Sequence, residues 1–190
     1  MTPSDEARAL PTLAREEIFS GRVWDVVAED VDLGDGVVVR REYVEHPGAV
    51  AVVALDADRR VLLLRQYRHP VRAFLWEPPA GLLDVAGEAP LEAARRELAE
   101  EADLRARSWE HLVTFRSSPG GSSEQIVVFL ARDLEPVPEA ERHVRIEEEA
   151  GMEPVWLPLE EAVEAVLAGR LHSPTAVVGV LAAAARLARG

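Results

Sequence analysis

One segment in the middle of the chain, residues 81–104, limits what this sequence can form more than any other. Its periodicity predicts a helix from Leu91 to Ala102. Glu97, Glu100 and Glu101 are spaced i, i+3 and i+4 on this helix, so their carboxylates share one face. The residues near the opposite side are apolar and would anchor the helix to a sheet: Leu91, Ala94, Leu98 and Ala102.

A helical face that carries several carboxylates is destabilised unless positive charge lies among them. Such hard oxygen ligands suit Mg²⁺ or Mn²⁺. Glu88 lies just before the helix and is placed to join the cluster, and Arg96 can reach Glu100 at i+4 and hold it in position. The alternative is an ordinary solvated helix surface, and the spacing of the glutamates alone leaves both interpretations open.

The composition excludes several classes of protein. The 190 residues, 48% of them hydrophobic, suffice for one domain with a core and a small appended subdomain. Cysteine is absent, so disulfides, zinc thiolate sites and thiol catalysis are excluded. All 21 basic residues are arginine, which excludes Schiff-base lysine chemistry and a P-loop lysine.

Charge and hydropathy predict which partners and which cellular location the chain has. A net charge of −13 with scattered arginines argues against a nucleic-acid partner. No apolar run approaches the roughly 20 residues of a membrane span, and the acidic N-terminal segment is unlike a signal peptide. We therefore expect a cytoplasmic protein with no membrane partner. An anionic substrate would need a local cation, which an acidic cluster can recruit as a metal.

The order of predicted elements is that of a mixed α+β sheet and not of a regular βαβ alternation. A flexible arm at residues 1–16 precedes a β-hairpin formed by Ile18–Glu29 and Val37–Val44. Residues 133–150 form a long acidic loop. The other predicted strands are Ala49–Leu55, Val61–Tyr67, Trp109–Phe115, Gln125–Ala131 and Met152–Trp156, and the other predicted helices are Leu159–Ala168 and Ser173–Ala188.

Residues 88–104 resemble the second half of the Nudix box: a Glu, seven residues, Arg-Glu, an aliphatic residue, one residue and Glu-Glu. The loop before them opens at Gly81, as in that family. Two positions depart from the pattern, because one extra residue separates Gly81 from Glu88 and because Asp103 replaces a glycine. That glycine closes the helix in the left-handed conformation, which Asp also tolerates. The insertion precedes the helix and leaves the spacing of the metal ligands unchanged.

Segments on both sides of the box resemble the ADP-ribose pyrophosphatase branch of this family, over roughly residues 18–185. Before the box stands RQYRHPVRAFLWEPPAGLLD, with the Gln-Tyr-Arg and Glu-x-Pro-Ala-Gly patterns of the branch. The resemblance implies that Ala80 offers its backbone carbonyl to a metal and that Arg68 contacts a substrate phosphate. After the box, residues 117–124 resemble a Ser-Pro-Gly…Glu loop in which Glu124 binds the terminal ribose. Without the resemblance, Arg68 is equally a strand-edge charge and the loop a flexible connection.

Two further segments match this branch. In the acidic loop, the resemblance makes one glutamate of Glu147-Glu148-Glu149 the general base, with Glu149 the first choice and Glu148 the second. A solvated acidic loop is the alternative. The N-terminal hairpin resembles a β-subdomain that forms a swapped homodimer in the branch. Arg41 and Glu42 would then lie near the adenine held by the partner subunit, although strand-edge charges explain them equally well.

The resemblance as a whole implies a Nudix α/β/α sandwich with a mixed β-sheet and an N-terminal β-hairpin subdomain. The expected domains are the flexible arm at 1–16, a dimerising β-subdomain at 17–45 and a Nudix hydrolase domain at 46–190.

The implied reaction is hydrolysis of the diphosphate of ADP-ribose to AMP and ribose 5-phosphate. The resemblance places Mg²⁺, or Mn²⁺ as a substitute, on Glu97, Glu100, Glu101 and the Ala80 carbonyl, with Glu149 taking a proton from the attacking water. The alternatives are another Nudix substrate, such as GDP-mannose, NADH or a diadenosine polyphosphate, or a non-catalytic ADP-ribose sensor. An acidic scaffold protein would leave the box unexplained.

Overall fold

The structure is a computed structural model, and it describes residues 2–145 and 151–189. The chain forms two compact units. The N-terminal unit holds Met1–Pro47 and Ser118–Glu124, and the larger unit holds Gly48–Ser117 and Gln125–Gly190. In the part of the chain that is described, no helix is long and apolar enough to cross a membrane.

The N-terminal unit is built on an antiparallel sheet of three strands in the order β1-β2-β3. The strands are β1 (Thr12–Ser20), β2 (Asp25–Asp32) and β3 (Val38–Glu45). Gly34 and Gly36 have positive φ angles of 95° and 79° in the turn between β2 and β3, a conformation that glycine adopts without strain. The Ser118–Glu124 segment joins this unit through the backbone of Val44, which bonds to Gly121 and Ser123.

The N-terminal sheet differs from the predicted hairpin in its strand count. The alternating pattern from Ile18 to Glu29 suggested one strand, but the chain turns after Ser20. Asp25 stabilises this turn, because its carboxylate accepts hydrogen bonds from the Ser20 hydroxyl (2.9 Å) and the Gly21 N–H (3.1 Å). Strand β1 also begins at Thr12, inside the region expected to be a flexible arm. Because apolar residues stand on both sides of this turn, the sequence pattern predicted one continuous strand.

The described residues of the larger unit form two sheets and three α-helices. One sheet has the order β7-β4-β9-β8, in which β4 and β9 are parallel and the other pairs antiparallel, and the second has the antiparallel order β10-β5-β6. The strands are β4 (Ala49–Ala54), β5 (Arg60–Arg68), β6 (Ala73–Glu77), β7 (Ala80–Leu82), β8 (Leu104–Arg116), β9 (Gln125–Pro136) and β10 (Glu153–Pro158). The helices are α1 (Pro90–Ala102), α2 (Leu159–Leu167) and α3 (Pro174–Leu187).

The helices of the larger unit cover both faces of its sheets. Alternate residues of a strand point to opposite faces, and β4 shows the consequence. Val50 and Val52 share a buried cluster with Leu98 of α1. Val53 belongs to the other cluster, with Val180 of α3. The predicted α/β/α arrangement with a mixed sheet is therefore confirmed within this unit.

Strands β6, β8 and β9 differ from the sequence prediction. Strand β6 was not predicted, because Pro70 and Pro78 bracket a segment too short for a clear alternation. Strands β8 and β9 extend beyond the predicted ranges, since they continue to pair as far as Leu104 and Pro136. The long acidic connection accordingly begins after Pro136 and not at residue 133.

Candidate active site

Helix α1 presents an acidic face because its other side is anchored in the core. Pro90 occupies the first turn, where its missing N–H is tolerated. Ala93, Ala94 and Leu98 are fully buried. Asp103 closes the helix with a left-handed φ of 53°, and its N–H donates to the Leu98 carbonyl. Asp103 therefore adopts the left-handed conformation that was expected of the residue replacing a glycine at this position.

Arg96 holds three carboxylates together, two on this helix and one, Glu88, in the loop before it. Its guanidinium donates to both carboxylate oxygens of Glu88 (3.1 and 2.9 Å), to Glu97 (2.6 Å) and to Glu100 (3.2 Å). The hydrogen bonds between Arg96 and Glu88 hold the pKa of Glu88 below its ordinary value. The same hydrogen bonds are the largest cause of the raised pKa of Arg96. The predicted i, i+4 contact of Arg96 with Glu100 is present, and contacts with Glu88 and Glu97 add to it.

The fourth carboxylate, Glu101, links α1 to strand β7. It is 7% exposed and accepts a hydrogen bond from the Ala80 N–H at 2.9 Å. The next residue, Gly81, lies so close to the Glu97 carboxylate that a Cβ at this position would overlap it. The backbone at Ala80 and the acidic face of α1 are thus in direct contact, through the Ala80 N–H and not through the carbonyl that was predicted to bind a metal.

The donor set fits a divalent cation. Three carboxylates contact the Arg96 guanidinium and a fourth, Glu101, follows Glu100 on α1, so the cluster keeps an excess of negative charge and offers the hard oxygen ligands that Mg²⁺ and Mn²⁺ prefer. In the described residues, no three acidic or histidine side chains already stand in a ligand arrangement. Arg96 explains this, because it lies between Glu88, Glu97 and Glu100. Those residues would have to exchange contacts with Arg96 for contacts with the metal.

A cavity of about 410 Å³ adjoins this cluster, which is within the size range of small-molecule sites. Arg96 and Glu100 of α1 form one side of it. Arg105, Arg142 and His143 contribute to its lining together with Glu141, which pairs with Arg105 at 2.7 Å.

Comparison with known proteins identifies the family. The model of the NUDIX domain matches residues 44–176, which is more than half of the chain. The chain belongs to the Nudix family.

Individual Nudix relatives are similar over most of the chain. The ADP-ribose pyrophosphatase of Mycobacterium tuberculosis (strain ATCC 25618 / H37Rv) is 43% identical over 171 residues, covering 90% of this chain and 81% of that protein. The ADP-ribose pyrophosphatase of Bacillus subtilis (strain 168) is 39% identical over 155 residues, covering 82% of each. A crystal structure of an ADP compounds hydrolase has the same fold, with a TM-score of 0.78, 24% identity and 98% coverage of both chains.

Arg68, the residue predicted to contact a substrate phosphate, lies at the end of strand β5. Arg68 donates through Nε (3.0 Å) and Nη2 (2.7 Å) to one oxygen of Glu77, which also accepts from Gln66 at 2.9 Å. Glu77 is 6% exposed, whereas the Arg68 side chain is 42% exposed. A buried carboxylate thus anchors an accessible guanidinium.

Sequence reasoning assigned no role to Glu77 or Gln66. The signal was present, because Gln66 and Arg68 are two residues apart on β5 and must point to one face. Glu77 is the first residue of the Glu-x-Pro-Ala-Gly pattern, but its pairing with Arg68 depends on the unpredicted strand β6.

The other predicted substrate residues belong to the N-terminal unit. Arg41 and Glu42 are exposed on β3, where the Arg41 guanidinium donates to the Arg40 carbonyl and Glu42 lies 3.8 Å from the Arg40 guanidinium. Glu124 lies 3.6 Å from the His46 imidazole. The two candidate bases, Glu148 and Glu149, lie outside the described residues.

Proposed function

We propose that this Nudix protein hydrolyses the diphosphate of ADP-ribose to AMP and ribose 5-phosphate, with Mg²⁺ as its cofactor and Mn²⁺ as a substitute. The observation that carries the proposal is the contact between the acidic face of α1 and the backbone of β7, made by Glu101 and Ala80. The choice of substrate rests on the two ADP-ribose pyrophosphatases at 43% and 39% identity.

The metal residues we propose are Glu97, Glu100, Glu101 and the Ala80 carbonyl. A divalent cation bound there would neutralise the diphosphate and lower the pKa of a bound water. Arg96 would keep Glu97 and Glu100 together before the metal arrives, because it already donates to both carboxylates.

The remaining roles follow from charge and exposure. Arg68 would bind a phosphate of the substrate while Glu77 holds two of its donors. Glu149, or Glu148 as the second choice, would accept the proton of the attacking water. Arg41, Glu42 and Glu124 are proposed to contact the adenine and ribose ends of the substrate.

We further propose that the N-terminal unit mediates a homodimer. Strand β1 pairs with β2 alone among the described strands, so its outer edge offers free backbone groups to a second copy. It also exposes apolar side chains, with Leu13 at 59% and Phe19 at 62% exposure. The domain division and the cytoplasmic location expected from the sequence remain predictions.

Site variants test the proposed function. We expect Glu97→Gln and Glu101→Gln to lower kcat/KM for ADP-ribose by on the order of 100-fold or more, since each loses a ligand charge. Glu92→Gln is the matched control, because Glu92 lies on the same helix and, within the described residues, its ion pair is with Arg95 at the surface. Full Mg²⁺-dependent turnover in Glu97→Gln and Glu101→Gln would refute the metal assignment. Glu149→Gln and Glu148→Gln, compared in the same assay, decide which glutamate is the base.

A further inference from the structure

The Glu77 carboxylate is buried, and one of its oxygens accepts three hydrogen bonds. Arg68 donates to this oxygen through Nε (3.0 Å) and Nη2 (2.7 Å), and the amide of Gln66, which is also buried, donates to it at 2.9 Å. A buried charge is unfavourable unless opposite charge and hydrogen bonds offset the loss of water. Apolar side chains are often at least as stable as a buried ion pair. Stability alone therefore does not explain why this strand keeps a carboxylate here.

The three side chains lie on the face of strand β5 that helix α1 covers. Leu64 shares a buried cluster with Leu98 of α1. Alternate residues of a strand point to one face, so Gln66 and Arg68 continue the row that Leu64 belongs to. Glu77 of β6 is the cross-strand partner of Leu64, and opposing residues point to the same face. Arg68 therefore extends from the sheet on the side of the helix that carries the proposed metal residues.

A short, rigid segment joins Glu77 to the backbone of the proposed metal site. Strand β6 ends at Glu77 and β7 begins at Ala80. The residues between them are both prolines, whose rings fix their φ angles. The carbonyl of Pro79 accepts a hydrogen bond from the Val52 N–H of β4 at 2.8 Å, and Ala80 pairs with Ala51 of the same strand. An arginine held by Glu77 is thereby held at a set place relative to Ala80.

Glu77 fixes the Arg68 guanidinium without using all of its donors. A guanidinium is planar and has five N–H donors. Two of them bond to Glu77, so three remain for another acceptor. The Arg68 side chain is 42% exposed, which makes it accessible to an anion. An arginine that is already held in one orientation loses less conformational freedom when it binds a phosphate than a mobile one.

We propose that Glu77, supported by Gln66, is a positioning residue for the phosphate contact of Arg68, an inference that rests on the proposed function above. Neither residue touches the substrate. Glu77 sets the orientation of the guanidinium plane and its place relative to Ala80, so that Arg68 and the metal engage one diphosphate together. Gln66 donates to the oxygen that Arg68 uses and keeps this oxygen in place.

Two substitutions separate positioning from a simple effect of charge. Glu77→Gln removes a negative charge beside an arginine that binds an anion, so charge alone predicts tighter binding of the diphosphate. Positioning predicts weaker binding, because a neutral amide oxygen is a weaker acceptor than a carboxylate. Glu77→Asp keeps the charge but shortens the side chain by one methylene. For this variant charge alone predicts little change, whereas positioning again predicts weaker binding.

The test measures KM and kcat with the nucleoside diphosphate derivative that the wild type hydrolyses best. Titration calorimetry in chelator adds the Kd of ADP-ribose without turnover. We expect Glu77→Gln and Glu77→Asp to raise KM and Kd by roughly 10-fold. The change should leave kcat nearly unaltered, because a contact made equally in the ground and transition states affects KM. Gln66→Met, which removes only the amide, should have a smaller effect in the same direction.

The Arg68→Ala background distinguishes positioning from general support of the sheet. If Glu77 acts through Arg68, Glu77→Gln should raise KM and Kd no further once Arg68 is absent. Glu153→Gln is the matched control, since Glu153 forms an exposed ion pair with another arginine of β5, Arg65, at 3.3 Å. We expect this control to leave KM and Kd unchanged.

Unchanged or lowered KM and Kd in Glu77→Gln would overturn the positioning role, and so would an equal loss with and without Arg68. Thermal melts establish that each variant folds. If Glu77→Gln does not fold, Glu77→Asp and Gln66→Met make the same comparison. Binding of ADP-ribose with the expected pattern of Kd but without turnover would refute the proposed hydrolysis and support the positioning of Arg68. A wild-type chain that neither binds nor hydrolyses a nucleoside diphosphate derivative would refute both.

Discussion

At the scale of single residues, Gly81 shows how closely strand β7 approaches the metal helix. A side chain at this position would overlap the Glu97 carboxylate. We expect Gly81→Ala to displace Glu97 and to lower kcat/KM by roughly 10- to 100-fold. Because the far end of a flexible side chain can move aside, the fold should survive. Kinetics and a thermal melt check this together, and an active Gly81→Ala enzyme would contradict the proposed place of Glu97.

Glu88 makes the stability of the folded chain depend on pH. Its pKa is below the ordinary value of 4.5 in the folded chain, chiefly because Arg96 donates hydrogen bonds to it. A lowered folded pKa contributes stability above pH 4.5, and this contribution disappears as the pH falls through the folded pKa. We therefore expect Glu88→Gln to be less stable than the wild type at pH 6 and to approach it near pH 3. Urea unfolding of both proteins across this range measures the difference, and a constant gap would contradict the ion pair.

At the scale of elements, the charged face of α1 depends on Arg96. Without a metal, its removal leaves Glu88, Glu97 and Glu100 to repel one another. We expect Arg96→Gln to lower the free energy of unfolding by about 1–2 kcal/mol and Mg²⁺ to restore part of that loss, because a bound cation replaces the missing charge. Denaturant unfolding with and without Mg²⁺ tests this.

Arg95→Gln is the control for that experiment. Arg95 is a neighbouring arginine of α1, but its ion pair with Glu92 is exposed, so its loss should change stability by less than about 0.5 kcal/mol. Equal effects of the two substitutions, or no response to Mg²⁺ in Arg96→Gln, would show that Arg96 has no special relation to a cation.

The elements of the larger unit were largely predictable from the sequence. Helix α1 and the shared face of its glutamates followed from periodicity, and the buried strand β4 from its apolar run. Contacts that join distant segments were not predictable. The hydrogen bonds from Arg96 to Glu88 depend on the path of the loop before α1. The ion pair of Arg145 with Asp103 joins residues that are 42 positions apart. In the N-terminal unit, the Asp25 turn lay inside an apparently continuous alternation.

At the scale of the whole molecule, the proposed dimer concerns the exposed side chains of β1. We expect the wild-type chain to sediment at about twice the 20.8 kDa of one copy. Phe19→Asp should shift it towards the monomer, because a charge would be buried in the interface. Phe74→Asp is the matched control, since Phe74 has similar exposure (58% against 62%) but lies in the larger unit. A monomeric wild-type chain would contradict the proposal.

The central claim concerns the reaction, and hydrolysis of a substrate panel tests it most directly. The panel contains ADP-ribose, GDP-mannose, NADH and a diadenosine polyphosphate, each with Mg²⁺, with Mn²⁺ and with a chelator. We predict selective release of AMP and ribose 5-phosphate from ADP-ribose, which stops when the metal is removed. Turnover of another substrate would keep the chemistry and change the specificity. Hydrolysis that continues in chelator, or binding of ADP-ribose without any turnover, would contradict a metal-dependent ADP-ribose pyrophosphatase.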